Sequence, residues 1–348
     1  MGLSRHFKLA KKALWLKIVG ASTVTFLLGL LAGWLVFGSN HTLQVTPVYP
    51  FTTDTSYSLI NPVLYIEIPE SLSYPEYTPL KNVLTSYVTA KKESGQVSDI
   101  SIYYRDLNTK DWVGINPTEN FNAASMMKVA TLIALLQSSE TEPQVLSANL
   151  SVPSSYVIPG TGNQYYLPPS NPVRSGNTYS VQYLMQRMIT QSDNGADSLL
   201  VTYLGNQKMA NVFNDLRIPQ PGTSSGISVQ NYSHLFRALY NGNYLSHADS
   251  QRALQLLTQT NFTAGLVAGV PTNTIVAHKF GESVYAYKPD STSIPTVVGL
   301  NDCGIVYRSK DPYFLCVMTK GADFNTLAGV IKDVSQITWN QMSALYPS

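Results

Sequence analysis

The chain alternates apolar stretches of clear period with polar breaks rich in proline. The first apolar stretch, Ile18 to Gly38, has no period at all: it is uncharged, apolar on every side, and follows a tail carrying Arg5, Lys8, Lys11, Lys12 and Lys17. Its length is close to the roughly 20 residues that cross a bilayer as a helix. The basic flank places residues 1–17 in the cytoplasm and everything after Gly38 outside. The expectation is a single-pass signal anchor at 18–38 in the cell membrane, with Gly29 and Gly33 spaced to pack two such helices. A cleaved signal peptide is the alternative, although the run exceeds an ordinary h-region and no small-x-small site follows it.

Residues 39–75 are rich in Ser, Thr, Pro, Tyr and Asn and read as an extracytoplasmic stalk. From Pro79 the pattern becomes that of a folded domain, 76–348. Leu80, Val83, Leu84, Tyr87 and Val88 have helical spacing. "VSDISIYYRDL" and "DWVGINP" read as a strand pair around the turn "NTKD". "SMMKVATLIALLQ" is a buried helix, and four more helical stretches follow: "SVQYLMQRMITQ", "SDNGADSLLVTYLG", "VQNYSHLFRALYNG" and "SQRALQLLTQ". The end returns to strands at "TIVAHKFG", "TVVGLNDCGIVYR" and "YFLCVMTKG", then a helix from about Asn325 to Met342. The order predicts an α+β fold, one antiparallel sheet flanked by helices plus an all-helical subdomain in the middle.

Charge and composition narrow the function. A net charge of +2 in 348 residues gives no basic stripe for nucleic acid. The histidines His6, His41, His234, His247 and His278 are scattered and the two cysteines share no ligand spacing, so neither a metal nor another cofactor is expected. "DCGIVYRSKDPYFLCVM" reads as a hairpin that sets Cys303 roughly opposite Cys316; a disulfide and two buried thiols fit equally well, because a one-residue slip would separate them. Oligomeric state is open.

Three short motifs carry the chemistry. Ser125 and Lys128, in "SMMK", lie on one face at a helix start. There a serine hydroxyl can attack an acyl carbon while the helix end steadies the oxyanion, and a lysine of lowered pKa can take the proton. Ser192, Asp193 and Asn194 follow a helix at a turn; Ser192 can relay a proton, Asn194 offers an amide, and the triplet also suits a helix cap. "HKFG" ends a β-branched run, placing Lys279 on a strand ahead of Gly281, where a ligand could approach the backbone.

S-x-x-K, S-D-N and K-x-G in this order resemble the signature of class A β-lactamases and penicillin-binding proteins over about residues 76–348. The resemblance implies a β-lactamase-like fold and a membrane-anchored serine hydrolase acting on a β-lactam or a cell-wall peptide of the D-Ala type. Catalysis falls to Ser125 as nucleophile, Lys128 as base, Ser192 as shuttle and Lys279 as second cation. Asn194, Phe280, Gly281 and Glu282 become substrate contacts, with an oxyanion hole from the N–H groups of Ser125 and Glu282. Two departures matter. No glutamate occurs from Pro143 to Gly281, so the loop acid that activates the deacylating water in class A enzymes is missing, and slow deacylation is expected. Asp215 reads as a surface residue or cap. Phe280 stands where the family has Thr or Ser and offers an apolar surface, while the side chain of Glu282 adds negative charge at the same edge. An acylable or non-catalytic sensor of the cell envelope is the alternative reading.

Overall fold

The structure is a computed structural model that describes residues 57–61, 75–160, 162, 164–220, 226–287 and 295–347, with Gly20 and Leu27 as single helical positions. The chain divides into two units, Met1–Phe51 and Thr52–Ser348. The expected tail, and the anchor 18–38 apart from Gly20 and Leu27, lie outside the described residues, as does most of the expected stalk. Among the described residues no helix is long and apolar enough to cross a membrane.

The second unit contains α1 (Thr78–Glu93), β1 (Asp99–Asp106), β2 (Trp112–Ile115), α2 (Lys128–Thr141), α3 (Val181–Thr190), α4 (Asn194–Leu204), α5 (Asn206–Asp215), α6 (Val229–Asn241), α7 (His247–Leu257), β3 (Ile275–Tyr287), β4 (Pro295–Tyr307), β5 (Tyr313–Gly321) and α8 (Phe324–Leu345). The five strands form one sheet in the order β2-β1-β5-β4-β3, antiparallel throughout. The early strands and the last ones thus share a sheet, and α2 to α7 fill the interval between them, which is the expected α+β architecture.

Strand alternation divides the core in two. Ile102, Tyr104, Leu315 and Val317 face Leu80, Leu84 and Val88 of α1 and Leu327, Ile331 and Val334 of α8. Tyr103, Ile305, Phe314 and Met318 face the helical subdomain. Each such aliphatic side chain contributes about 1.5–3 kcal/mol by leaving water. At the centre of the subdomain runs α2, with every residue from Lys128 to Leu136 buried, as an apolar helix surrounded by protein must be.

Three features go beyond the sequence pattern. Cys303 and Cys316 pair directly across β4 and β5 and form a disulfide, so the register falls on the pairing side of the two readings. The helix α5 follows α4 after only Gly205 and buries Val212 and Phe213. In the segment read as a stalk, Tyr57 to Asn61 lies against the body: Leu59 and Ile60 are buried, Tyr307 Oη donates to the Leu59 carbonyl at 2.9 Å, and Asn61 N–H to the Tyr240 carbonyl at 2.7 Å.

Candidate active site

Ser125 lies in a 3-10 turn, Ala124–Met127, that runs into α2 at Lys128. The first N–H groups of such a turn have no partner within it. Ala124 holds a left-handed φ of 46°, a costly conformation for a residue with a Cβ, and its N–H is fixed on Asn122 Oδ1 at 3.0 Å. Lys128 is buried and donates to Ser125 Oγ at 2.7 Å, to the Ser192 carbonyl at 2.7 Å and to Asn194 Oδ1 at 2.5 Å. Burial lowers its pKa to about 8, against the opposing pull of Asp197, Asp193 and Glu282. A lysine lowered in this way gives up its proton more readily than a free one, and its neutral amine can take a proton from Ser125.

Asp193 caps α4, accepting from the N–H groups of Gly195 at 3.0 Å and Ala196 at 3.2 Å. It also takes Val173 N–H at 3.2 Å and pairs with Arg187 at 3.4 Å. This acid is therefore the fixed point between two neighbours that both reach Lys128, and the cap reading of the triplet is met. Ser192, at φ 53°, places Oγ 3.4 Å from Lys128 Nζ. Asn194 Oδ1 also accepts from Ser125 Oγ at 3.4 Å, and its Nδ2 donates to the Gly160 carbonyl at 3.3 Å.

Lys279 comes from β3, fully buried, and donates to Ser192 Oγ at 2.9 Å and to the Phe280 carbonyl at 3.0 Å. Burial, then the charge of Lys128, pushes its pKa well below the usual lysine range. Ser192 Oγ thus stands between two amines. A Cβ on Gly281 would lie 2.3 Å from the Ala123 carbonyl and 3.1 Å from Met126 N, so only glycine lets β3 lie against the Ser125 turn. That approach brings the backbone of Gly281 against the turn that carries Ser125.

The side chains of Phe280 and Glu282 differ from expectation. Alternation turns Phe280 away from Ser125: it is buried in the sheet's other core, its ring 4.7 Å from that of Phe262 and 4.4 Å from Lys279 Nζ. It is a floor beneath the lysine instead of an exposed apolar surface. Glu282 does not leave a bare charge at the cleft edge, because its carboxylate accepts from the backbone N–H groups of Tyr165, Tyr166 and Leu167. His278 is buried as a strand residue, with Nδ1 2.7 Å from Asp302 Oδ1. Asp215 accepts from Tyr244 Oη at the end of α5. Among the described residues no cluster of His, Cys, Asp or Glu could hold a metal ion.

A family model described as the beta-lactamase enzyme family matches residues 79–342. The chain belongs to the beta-lactamase enzyme family. No curated protein matches it. Among solved structures, it is similar to a beta-lactamase from Chitinophaga pinensis with 17% identity and a TM-score of 0.64, covering 76% of this chain and 100% of that one. A class A beta-lactamase representative from Bacteroides cellulosilyticus gives 17% identity and 0.64 over 77% and 99%. A mutant of PBP-A, solved as an acyl-enzyme complex with penicillin G, gives 21% identity and 0.61 over 76% and 97%. At these identities the likeness is one of fold, and the family makes the protein a serine hydrolase.

Within this β-lactamase framework one acid was missed in the sequence. Asp197 is the carboxylate whose charge acts most strongly on Lys128. It accepts from Thr131 Oγ1 at 3.0 Å, and burial raises its pKa while Lys128 lowers it. The "GAD" after S-D-N held the signal: an acid one helical turn past Asn194 lies on the same face.

Proposed function

We propose that Ser125 is the acylated nucleophile of an extracytoplasmic hydrolase whose substrate is a β-lactam or a cell-wall peptide of the D-Ala type. The observation that carries the reading is the 2.7 Å contact between Lys128 Nζ and Ser125 Oγ, within a lysine environment that lowers the amine to about pH 8. As Oγ attacks the carbonyl carbon, its proton passes to Lys128. The oxygen that gains charge is held by the N–H groups of Ser125 and Glu282. Ser192, bridged to Lys279 at 2.9 Å, hands a proton to the departing nitrogen, and the acyl group stays on Oγ.

Release of that acyl group needs a water with a base. With no glutamate between Pro143 and Gly281, general-base help of about 10²–10⁴-fold is missing from this step. Acylation is then efficient relative to deacylation, which also supports the second reading, a sensor that stays acylated. The apolar run 18–38 supports anchorage in the cell membrane with the catalytic domain outside.

The reading is tested by peptide mapping of the full-length chain, in detergent, after incubation with penicillin. The expected result is a penicilloyl group on the Ser125 peptide, absent from Ser125→Ala. Modification of another residue, or none, rejects it.

A further inference from the structure

Acyl transfer uses the backbone of Glu282 and leaves its side chain unexplained. That side chain is only 8% exposed, on the edge strand β3. Its Oε1 accepts from Tyr165 N–H at 2.5 Å, each oxygen from Tyr166 N–H at 3.2 Å, and Oε2 from Leu167 N–H at 3.1 Å. Three successive N–H groups converging on one anion form a nest, a far stronger hold than one neutral hydrogen bond.

The other end of the same segment is tied to the helical side. The Gly160 carbonyl accepts from Asn194 Nδ2 at 3.3 Å, and Gln164 Nε2 donates to the Ser192 carbonyl at 2.9 Å. Tyr166 stacks on Phe324 with ring centroids 5.3 Å apart and meets Phe262 edge-on at 6.2 Å. Gln164 to Leu167 therefore joins the S-D-N turn to β3, the two sides that Ser125 and Lys128 lie between. The attachments are side-chain contacts and no strand ladder, so they can part without unfolding the sheet. One of them occupies the Asn194 amide, which a substrate would need.

We propose that Glu282 is a specificity-determining residue: its carboxylate latches the Gln164–Leu167 segment across the Ser125 cleft, so the resting site takes compact acyl donors and takes bulky ones only when the latch parts. The identity of the donor rests on the acyl-transfer reading; the latch does not.

The test reads access to position 125 without turnover. The only two cysteines are joined to each other, so Ser125→Cys gives the full-length chain its sole free thiol. Alkylation rates with iodoacetamide and with a pyrene maleimide are compared with and without Glu282→Gln. Glutamine has the same shape but turns an NH₂ toward backbone N–H groups. The maleimide rate is expected to rise about tenfold or more and the iodoacetamide rate to change less than about twofold, as loss of a charge-assisted clamp implies. Hydrogen exchange at residues 165–167 should quicken in the same variant. An unchanged maleimide rate, or unchanged exchange, overturns the latch. If Glu282→Gln does not fold, Gln164→Ala loosens the opposite end and is read in the same way. Failure of penicillin to label Ser125 while the thiol rates respond rejects the acyl-transfer reading and leaves the latch standing.

Discussion

Thr131 Oγ1 donates to Asp197 Oδ1 at 3.0 Å, one helical turn beyond the contact between Lys128 and Asn194 on the same pair of helices. Two rungs thus join α2 and α4, and the second holds a carboxylate whose charge favours protonated Lys128. Asp197→Asn removes that charge, so the Lys128 pKa falls from about 8 to a lower value. Acylation needs the neutral amine and rises with pH through this pKa. The midpoint of its rise should therefore move to lower pH in Asp197→Asn, as acylation rates measured from about pH 5 to 10 would show. A midpoint that stays where the wild type has it contradicts the coupling.

Lys128→Met keeps the buried stem and removes the base. Acylation of Ser125 should fall by about 10²–10⁴-fold, with the thermal melt of the domain retained. The check is the first-order rate of adduct formation at saturating penicillin. A loss under about tenfold would assign the base elsewhere.

Gly281→Ala drives a methyl group into the Ala123 carbonyl, 2.3 Å from where Cβ must sit. Either β3 or the Ser125 turn has to move, and these two elements carry the N–H groups proposed to hold the oxyanion. A loss of about 10²–10³-fold in the rate of adduct formation, with little change in fold by circular dichroism, is the expected outcome. An unchanged acylation rate would place the oxyanion elsewhere.

The grouping of the site residues was more legible in the sequence than its setting. Ser125, Lys128, Ser192 and Lys279 could be read together because their motifs follow the order of the signature they resemble, and hydrogen bonds link the four side chains in the fold. The helices with wide apolar stripes, such as Leu80, Leu84 and Val88, were readable from their spacing. In α5 only Val212 and Phe213 are buried, and Gly205 looks like a turn into a loop. Alternation along β3 already opposed Phe280 to Lys279, but which face would be sealed depends on Phe262, brought in from another segment. Asp197 was within reach of the spacing after Asn194, but its partner Thr131 lies 66 residues away, and Tyr165, a partner of Glu282, lies 117 away, so no local spacing signals either contact.

The disulfide makes a separate prediction. Cys303 and Cys316 are 13 residues apart, and closing a loop of that size contributes about 3 kcal/mol on the chain-entropy account. Replacing both by alanine should lower the denaturant midpoint correspondingly; Cys303 lies directly opposite Lys279 across β3 and β4, so the rate of adduct formation is read in the same variant. A midpoint equal to that of the wild type would contradict the bond's contribution.

The central claim is that acyl transfer to Ser125 is supported and its reversal by water is not. The most direct measurement follows intact mass of the full-length chain after a single equivalent of penicillin, over hours. The account expects an adduct that forms and persists, with little hydrolysed penicillin released. An adduct that decays within seconds as hydrolysed penicillin accumulates would contradict it and require a base for the water, with Asp197 the first residue to replace.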